Sequence, residues 1–429
     1  MSSALSEMLS DRFRALRHRD FRLFWTGQLV SLMGTWMQTV AQGWLMHRLT
    51  DSAFMLGLLG FAQFVPVTVL SLFAGVLADH VEKRKLIIVT QSVAMLQAVL
   101  MALVVTLGIV QPWMVLALAL LLGAVNAFDL PGRQSFFIEM VGREDLSNAI
   151  ALNSAAFNMA RVLGPAVAGI LVGWVGEQAC FWVNAVSFVA VIVSLVRIRT
   201  RGLPTQSVTI PEAMGALRTG IAHAWGSGPI RKLLVLLGIT AGFGFQYMVL
   251  LPVYARDVLH VDARAYGLMV SAFGLGSLIA AVGLTRRMDR WALRRTLLLG
   301  LIASGIGMGL FAWSRALWLT LAMGLLAGFG LILYLGATNT LVQLTTEDRY
   351  RGRVMSFYTF MLVGTAPFGA LMCGAIAQRW GAPLATSLCA LILLGGAVSV
   401  AHRLRVVTAR EAAAAAAAPV AADTETADH

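Results

Sequence analysis

Charge is scarce in this sequence: Asp, Glu, Lys and Arg make up 13% of it, against 58% hydrophobic residues. A soluble domain carries about twice that charged fraction, so an object of this size would be left with too little to solvate it. Cysteine is nearly missing as well. Cys180, Cys373 and Cys389 lie inside or at the edge of apolar stretches with no paired spacing, which excludes a disulfide framework and suggests no metal site, leaving small apolar packing as their role. A nucleotide-binding glycine loop, a metal-ligand cluster and a nucleophile constellation are all lacking, so neither an enzyme nor a cofactor is expected.

What is present is apolar sequence in long runs. Twelve segments hold one charged side chain between them, Arg161: Leu23–Met46, Ala53–Ala78, Leu86–Val110, Pro112–Phe128, Ala149–Val175, Gln178–Val196, Leu233–Ala255, Ala265–Thr285, Thr296–Ser314, Ala316–Leu335, Val354–Gln378 and Trp380–Ala401. Each is near the twenty or so residues a helix needs to cross a hydrocarbon core of about 30 Å. Lipid offers the backbone no hydrogen-bond partner, and runs this long are helices rather than barrel strands. The expected class is an all-α membrane protein with twelve transmembrane helices.

The cations set its orientation. The segment before the first span, the even-numbered connections and the segment after the last span together hold 27 of the 33 Lys and Arg residues. The odd-numbered connections hold Arg48, Arg256, Arg264, Arg315 and Arg379. By the positive-inside rule both termini are cytoplasmic. Trp44, Trp113, Trp174, Trp182, Trp313, Trp318 and Trp380 fall at the span ends assigned to the outer face, where amphipathic rings prefer to sit. The net charge of +12 is therefore read as small basic clusters along one membrane face, attracting anionic lipid, and not as a nucleic-acid surface.

The polar start of the chain leads into a span too long for a cleaved signal. The longest connection, Arg197 to Lys232, separates six spans from six. Within it Pro211 suits a first helical position, and Met214, Leu217 and Ile221 recur at helical spacing, which predicts an amphipathic helix on the cytoplasmic leaflet. The divisions are residues 1–22, 23–196, 197–232, 233–401 and a disordered or partly helical tail over 402–429, whose alanine run has too little apolar variety to build a core. The halves resemble each other. Glu144-Asp145 precedes the fifth span with Gly164-Pro165 and Gly169, and Glu347-Asp348 precedes the eleventh with Gly364, Pro367 and Gly369. Gly75 to Arg84 after span two has a degraded counterpart in Gly283 to Arg290 after span eight. Parallel six-span repeats mark transporters that rock two bundles about a central site.

The stretch Gly75-Val-Leu-Ala-Asp79-His-Val-Glu-Lys83-Arg84 resembles the signature that the major facilitator superfamily carries after its second span, departing from it at His80 and Glu82. Phe21-Arg-Leu-Phe-Trp25, Gly34-Thr-Trp-Met-Gln38, Ala127 to Ser135, and Asn148 to Gly169 look like the branch that holds the bacterial enterobactin exporter and macrolide efflux pumps. The resemblance covers the chain to about Ala401. It implies two pseudo-symmetric six-helix bundles, a small-molecule substrate, protons as the coupling ion, and a monomer in the inner membrane of a bacterium.

Arg161 is the sharpest site candidate, since a guanidinium near mid-span is costly unless it faces a cavity or a partner. Thirteen residues of helix, about 20 Å, separate it from Asn148. It is either an electropositive group for an anionic or polar substrate, half of a charge switch, or a buried ion-paired or carbonyl-capped arginine that holds span five to its neighbours. Gln38, Gln42, Gln63, Asn126, Asn153, Asn158, Gln246, Tyr334 and Tyr358 are deep polar residues that mark either the cavity or interhelical contacts. Gly164, Pro165 and Gly169 resemble the superfamily's antiporter motif in span five, and a plain packing kink is the alternative. The resemblance also implies that Gly75, Asp79, Lys83 and Arg84 form a gate latch, with Asp79 against the positive N-terminal end of the eleventh helix. No carboxylate or histidine lies mid-span, so Asp129 and Glu139 are the proton-coupling candidates. The resemblance implies export of a molecule of the drug or siderophore class, and the apolar spans favour an amphipathic ligand over a sugar. A metabolite uptake permease and a non-transporting membrane sensor on the same fold are the alternatives.

Overall fold

The structure, a computed structural model, describes residues 13–204, 209–244, 246–284 and 288–417. Residues 285–287, within the loop that echoes Gly75 to Arg84, lie outside the described residues, as do 418–429 of the tail. After a short turn at Arg14–Arg17 come α1 (Arg19–Thr50), α2 (Ala53–His80), α3 (Lys83–Thr106), α4 (Pro112–Val175) and α5 (Glu177–Arg197). A connecting helix α6 (Ile210–Gly226) leads to α7 (Gly228–Gly244), α8 (Tyr247–Val253), a π turn Tyr254–Val258, α9 (Ala263–Gly283), α10 (Arg290–Trp313) and α11 (Leu317–Thr345). The chain closes with α12 (Asp348–Gly364), α13 (Ala366–Trp380) and α14 (Ala382–Ala417).

Ten of the helical stretches are long and apolar enough to cross a membrane, so the chain is a multi-pass membrane protein. α4 runs for 64 residues and covers the fourth and fifth expected spans. Its two limbs meet at Gly142, where φ is +74°, a left-handed conformation that costs a residue with a Cβ. α1 is 32 residues long but less apolar, because Gln28, Gln38 and Gln42 are spent inside the bundle, where they are buried. Counting α4 twice and adding α1 gives the twelve passages expected from sequence.

One expected span is interrupted among the described residues: between α12 and α13 the helix breaks at Thr365, where Pro367 follows in the first turn of α13 and cannot donate to the helix before it. The last helix also runs on to Ala417, so the start of the tail expected to be disordered or partly helical takes the helical alternative. Alanine has the highest helix propensity, and here it extends a helix already nucleated by a packed span.

The connecting helix α6 forms as expected, with a Thr209/Glu212 capping box and Pro211 in its first turn. Leu217 and Ile221 pack into the protein core, while Met214 is exposed. Its last turns are held by α12: His223 stacks on Tyr350 at 4.0 Å, and Gly220 lies against the backbone of Arg353. The apolar face expected to meet lipid thus faces protein.

Candidate functional site

The two halves are joined along two matching seams built from small residues. In one, the second limb of α4 lies on α9: a Cβ on Gly169 would stand 2.7 Å from the Ala263 carbonyl, and one on Gly274 would stand 2.8 Å from the Arg161 carbonyl. Gly267 fits against Pro165 in the same row, and Ser271 donates to the Val162 carbonyl at 2.7 Å. In the other seam α2 lies on α13, with Gly57 2.7 Å from the Ala370 carbonyl and 2.9 Å from Gly374 Cα by the same measure. Backbones approach this closely only where side chains are lacking, and dispersion then holds helices together in lipid. Gly164 packs on Trp36 of α1, so Gly164, Pro165 and Gly169 all serve helix packing here, and α4 continues through Pro165 without a break.

Both seams lie toward the end of the molecule that carries the α1/α2 connection, opposite the basic connections. Polar contacts between the halves gather there too. His47 Nε2 lies 3.0 Å from Asp257, Arg256 lies 3.2 Å from Asp51, and Gln378 accepts from Ser52 Oγ at 2.8 Å and from the Phe54 amide at 3.2 Å. Trp44 stacks on Tyr266. Toward the basic end a Cβ added to Gly75, Gly283 or Gly352 would touch nothing within 4 Å, although α2 still approaches α6 and α12. Among the described residues, no ion pair joins the halves at that end.

Arg161 sits where the α4/α9 seam reaches mid-helix. It is 7% exposed, its Nε finds no acceptor, and no carboxylate pairs with it among the described residues. Tyr247 has a buried hydroxyl that likewise lacks a hydrogen-bond partner among the described residues, and its ring stacks on Phe273 at 4.0 Å. The structural ion pair considered for Arg161 does not form. Beside the break in the interrupted span, an apolar cavity of about 450 Å³ is lined by Gly238, Gly242, Phe243, Met361, Thr365 and Phe368 among others.

The other deep polar residues divide. Gln38 donates to Gln97 at 3.0 Å and accepts from Asn184 at 2.8 Å, while Gln63 donates to Gln42 at 3.3 Å; these amides tie helices of the first half to one another. Tyr334 accepts from Thr240 at 2.7 Å and Tyr358 donates to the Leu335 carbonyl at 3.4 Å, both buried in the second half. Gln246 is buried ahead of α8. Asn153 and Asn158 are half-buried, Asn158 bonding its own helix at Ser154, and Asn126 is exposed. The structure does not gather these residues around Arg161.

At the basic end, Asp79 makes no ion pair or hydrogen bond among the described residues. Lys83 reaches the Leu203 carbonyl at 2.6 Å and Glu139 at 3.0 Å, and Arg84 reaches the Ile198 carbonyl at 2.6 Å. They staple the start of α3 to the chain leaving α5. Asp129 is buried, accepts from Thr90 at 2.7 Å and Gln91 at 2.9 Å, and pairs with Arg133. Nearby, Asp145 meets His18 at 2.8 Å and also Arg14, and the bonds from His18 and then Arg14 hold its carboxyl below the usual range. Asp20 is held low as well: burial opposes this, but bonds from Thr200 and Arg199 outweigh it.

Sequence reading missed the pairs His47/Asp257 and Asp51/Arg256. A signal existed: Arg48 and Arg256 are cations on the side expected to be poor in them, with Asp51 three residues after the first and Asp257 next to the second, in the corresponding connections of the two halves. Tyr247 was missed too, being one aromatic among many.

Residues 10–427 match the family model described as transmembrane secretion effector. The multidrug efflux pump Tap of Mycolicibacterium fortuitum is 27% identical, over 87% of this chain and 93% of that protein. The staphyloferrin A transporter of Staphylococcus aureus is 23% identical, over 84% and 90%, and macrolide efflux protein A of Streptococcus pyogenes is 22% identical, over 84% and 90%. Among solved structures, the nucleoside transporter NupG superposes with a TM-score of 0.69 at 11% identity, over 89% of this chain and 98% of its own. A bacterial homologue of the iron transporter ferroportin in an inward-facing state gives 0.66 at 16% identity, over 88% and 98%. With the family model matched over nearly its whole length, the chain belongs to the transmembrane secretion effector family of the major facilitator superfamily.

Proposed function

We propose that the protein exports amphipathic small molecules across the cytoplasmic membrane by alternating access, in exchange for protons, as a monomer with both termini in the cytoplasm. The observation that carries this reading is an Arg161 buried at mid-depth with its Nε unsatisfied, between halves whose glycine seams and polar contacts gather at the end opposite the basic connections. In this reading the basic end lies in the cytoplasm and the seamed end faces outward. A substrate entering from the cytosol or inner leaflet meets apolar helix faces and the cavity at the span break, and an acceptor group on it supplies what Arg161 and Tyr247 lack. Names of relatives that move drugs and a siderophore agree with such a ligand.

Asp79, free of partners in this state, is placed to dock on the N-terminal end of α12 when the basic end closes, where the helix dipole favours a carboxylate. Asp129 and Glu139, already matched with Arg133 and Lys83, act in this reading as fixed parts of the basic-end scaffold. The test uses everted membrane vesicles energised with a proton gradient and a panel of anionic, neutral and cationic amphipathic dyes. Vesicles bearing the protein load at least one dye faster than control vesicles, collapse of the pH gradient stops the loading, and Arg161→Gln slows it at least about tenfold. No gradient-dependent loading of any dye contradicts the proposal.

A further inference from the structure

A histidine is buried where the two halves close. The His47 side chain is 1% exposed, and its Nε2 lies 3.0 Å from a carboxylate oxygen of Asp257 in the other half. Both ring nitrogens lack an aligned hydrogen-bond acceptor, so the attraction across the seam depends on charge and not on a directed bond. Asp257 is half exposed. Together with Asp51 and Arg315 it lines a cavity of about 360 Å³ at the end opposite the basic connections, which gives water and protons a route to the pair. Imidazole is the side chain whose ordinary charge change falls between about pH 5 and 8.

We infer that His47 is a proton-binding site, and that its occupancy closes the end of the transporter opposite the basic connections. The inference rests on the alternating-access reading and deepens it by naming a group through which external protons act. Taken from the outer cavity, a proton converts imidazole to imidazolium, and the ionised Asp257 then draws the end of α1 onto the segment after α8. On opening, the proton returns to the same cavity. His47 therefore makes closure proton-dependent without itself carrying the proton across.

The charged neighbours leave this role to His47. On its own helix Arg48 is engaged by Glu177 at the start of α5, at 2.7 Å, and the following Asp51 is engaged by Arg256. At the start of α9, Asp262 and Arg264 lie 3.9 Å apart, and Arg264 also covers the Trp174 ring. Tyr266 of α9 faces Gly43. Arg315 lines the same cavity as Asp257, and His260, on the segment after α8, is exposed and lies 3.0 Å from the Arg256 carbonyl, so the buried imidazole that faces Asp257 is that of His47. The sign follows from linkage: the closed end favours the charged imidazole, so closure is strongest at low pH and is lost as pH rises. A single linked proton limits the change in the open-to-closed ratio to at most about tenfold per pH unit.

The experiment measures the distance between spin labels at Val175→Cys and Trp318→Cys, exposed positions on opposite halves, in lipid nanodiscs from pH 5 to 8.5 without substrate. The native cysteines are buried and stay in place. The long-distance population rises at least about fivefold with pH in the wild type, and His47→Gln and Asp257→Asn each flatten that dependence. Asp51→Asn raises the long-distance population at every pH and keeps the slope. His47→Asn serves if the Gln variant fails to fold. A pH-independent wild type, or a His47 variant that responds to pH as the wild type does, overturns the inference. Because no substrate is present, failure of dye export leaves this result standing and strikes the functional reading alone.

Discussion

An arginine that has lost its water and found no carboxylate is a liability to the resting protein, and that is the best argument for its use. Arg161 is buried with Nε unsatisfied, and breaking or lacking the partner of a buried charge costs several kcal/mol. Arg161→Gln is therefore expected to raise the thermal midpoint, read by tryptophan fluorescence in nanodiscs, while it lowers transport. A variant both less stable and inactive would return Arg161 to a structural role. Asp20 and Asp145 make the opposite kind of statement. Their folded carboxyls titrate below the ordinary range, so the stability they give is present above about pH 4 and is lost as pH falls through their lowered values. A fluorophore at Phe13→Cys is expected to gain mobility below about pH 4 and not between pH 5 and 8. Arg161 was legible in the sequence because a lone charge in apolar surroundings cannot be overlooked. His47 was not, because a neutral-counting residue at a span end reveals nothing until Asp257, in the other half, is placed beside it.

The helices carry the seams and the hinge. Gly57 has backbone of α13 at the position of a Cβ, whereas Gly75, on the same helix, has open space there. Gly57→Val is expected to force the seam apart, lowering stability by about 1 to 3 kcal/mol and shifting the spin-label distances above toward the long population. Gly75→Val is expected to leave the thermal midpoint unchanged and still slow transport, because the basic ends of α2 and α12 approach each other in the proposed alternate state. Equal loss of stability in both variants would contradict the asymmetry. At Gly142, with φ of +74°, alanine is expected to cost about 1 to 2 kcal/mol, measured as a fall in thermal midpoint. Hydrophobic length placed most spans to within a few residues, since lipid sets that length. The break at Thr365 was hidden in the apolar run around it; just beyond it, Gly369 of α13 lies against the backbone of Gly242.

Taken whole, the molecule is two similar halves whose polar contacts gather at one end, and the two-fold likeness was readable from repeated loop motifs before any contact was known. The deep amides were less readable. Gln38, Gln42 and Gln63 fit equally well with a cavity wall or with helix-to-helix bonds, and only the positions of Gln97 and Asn184 decide for the latter. The account stands on the sealed end having to open for transport. Ser52→Cys and Gln378→Cys, whose native side chains meet across the halves at 2.8 Å, can be joined by a short, reducible thiol crosslinker in the vesicles that load dye. Crosslinking is predicted to abolish dye loading and reduction to restore it; loading undiminished in fully crosslinked protein would contradict alternating access through that end.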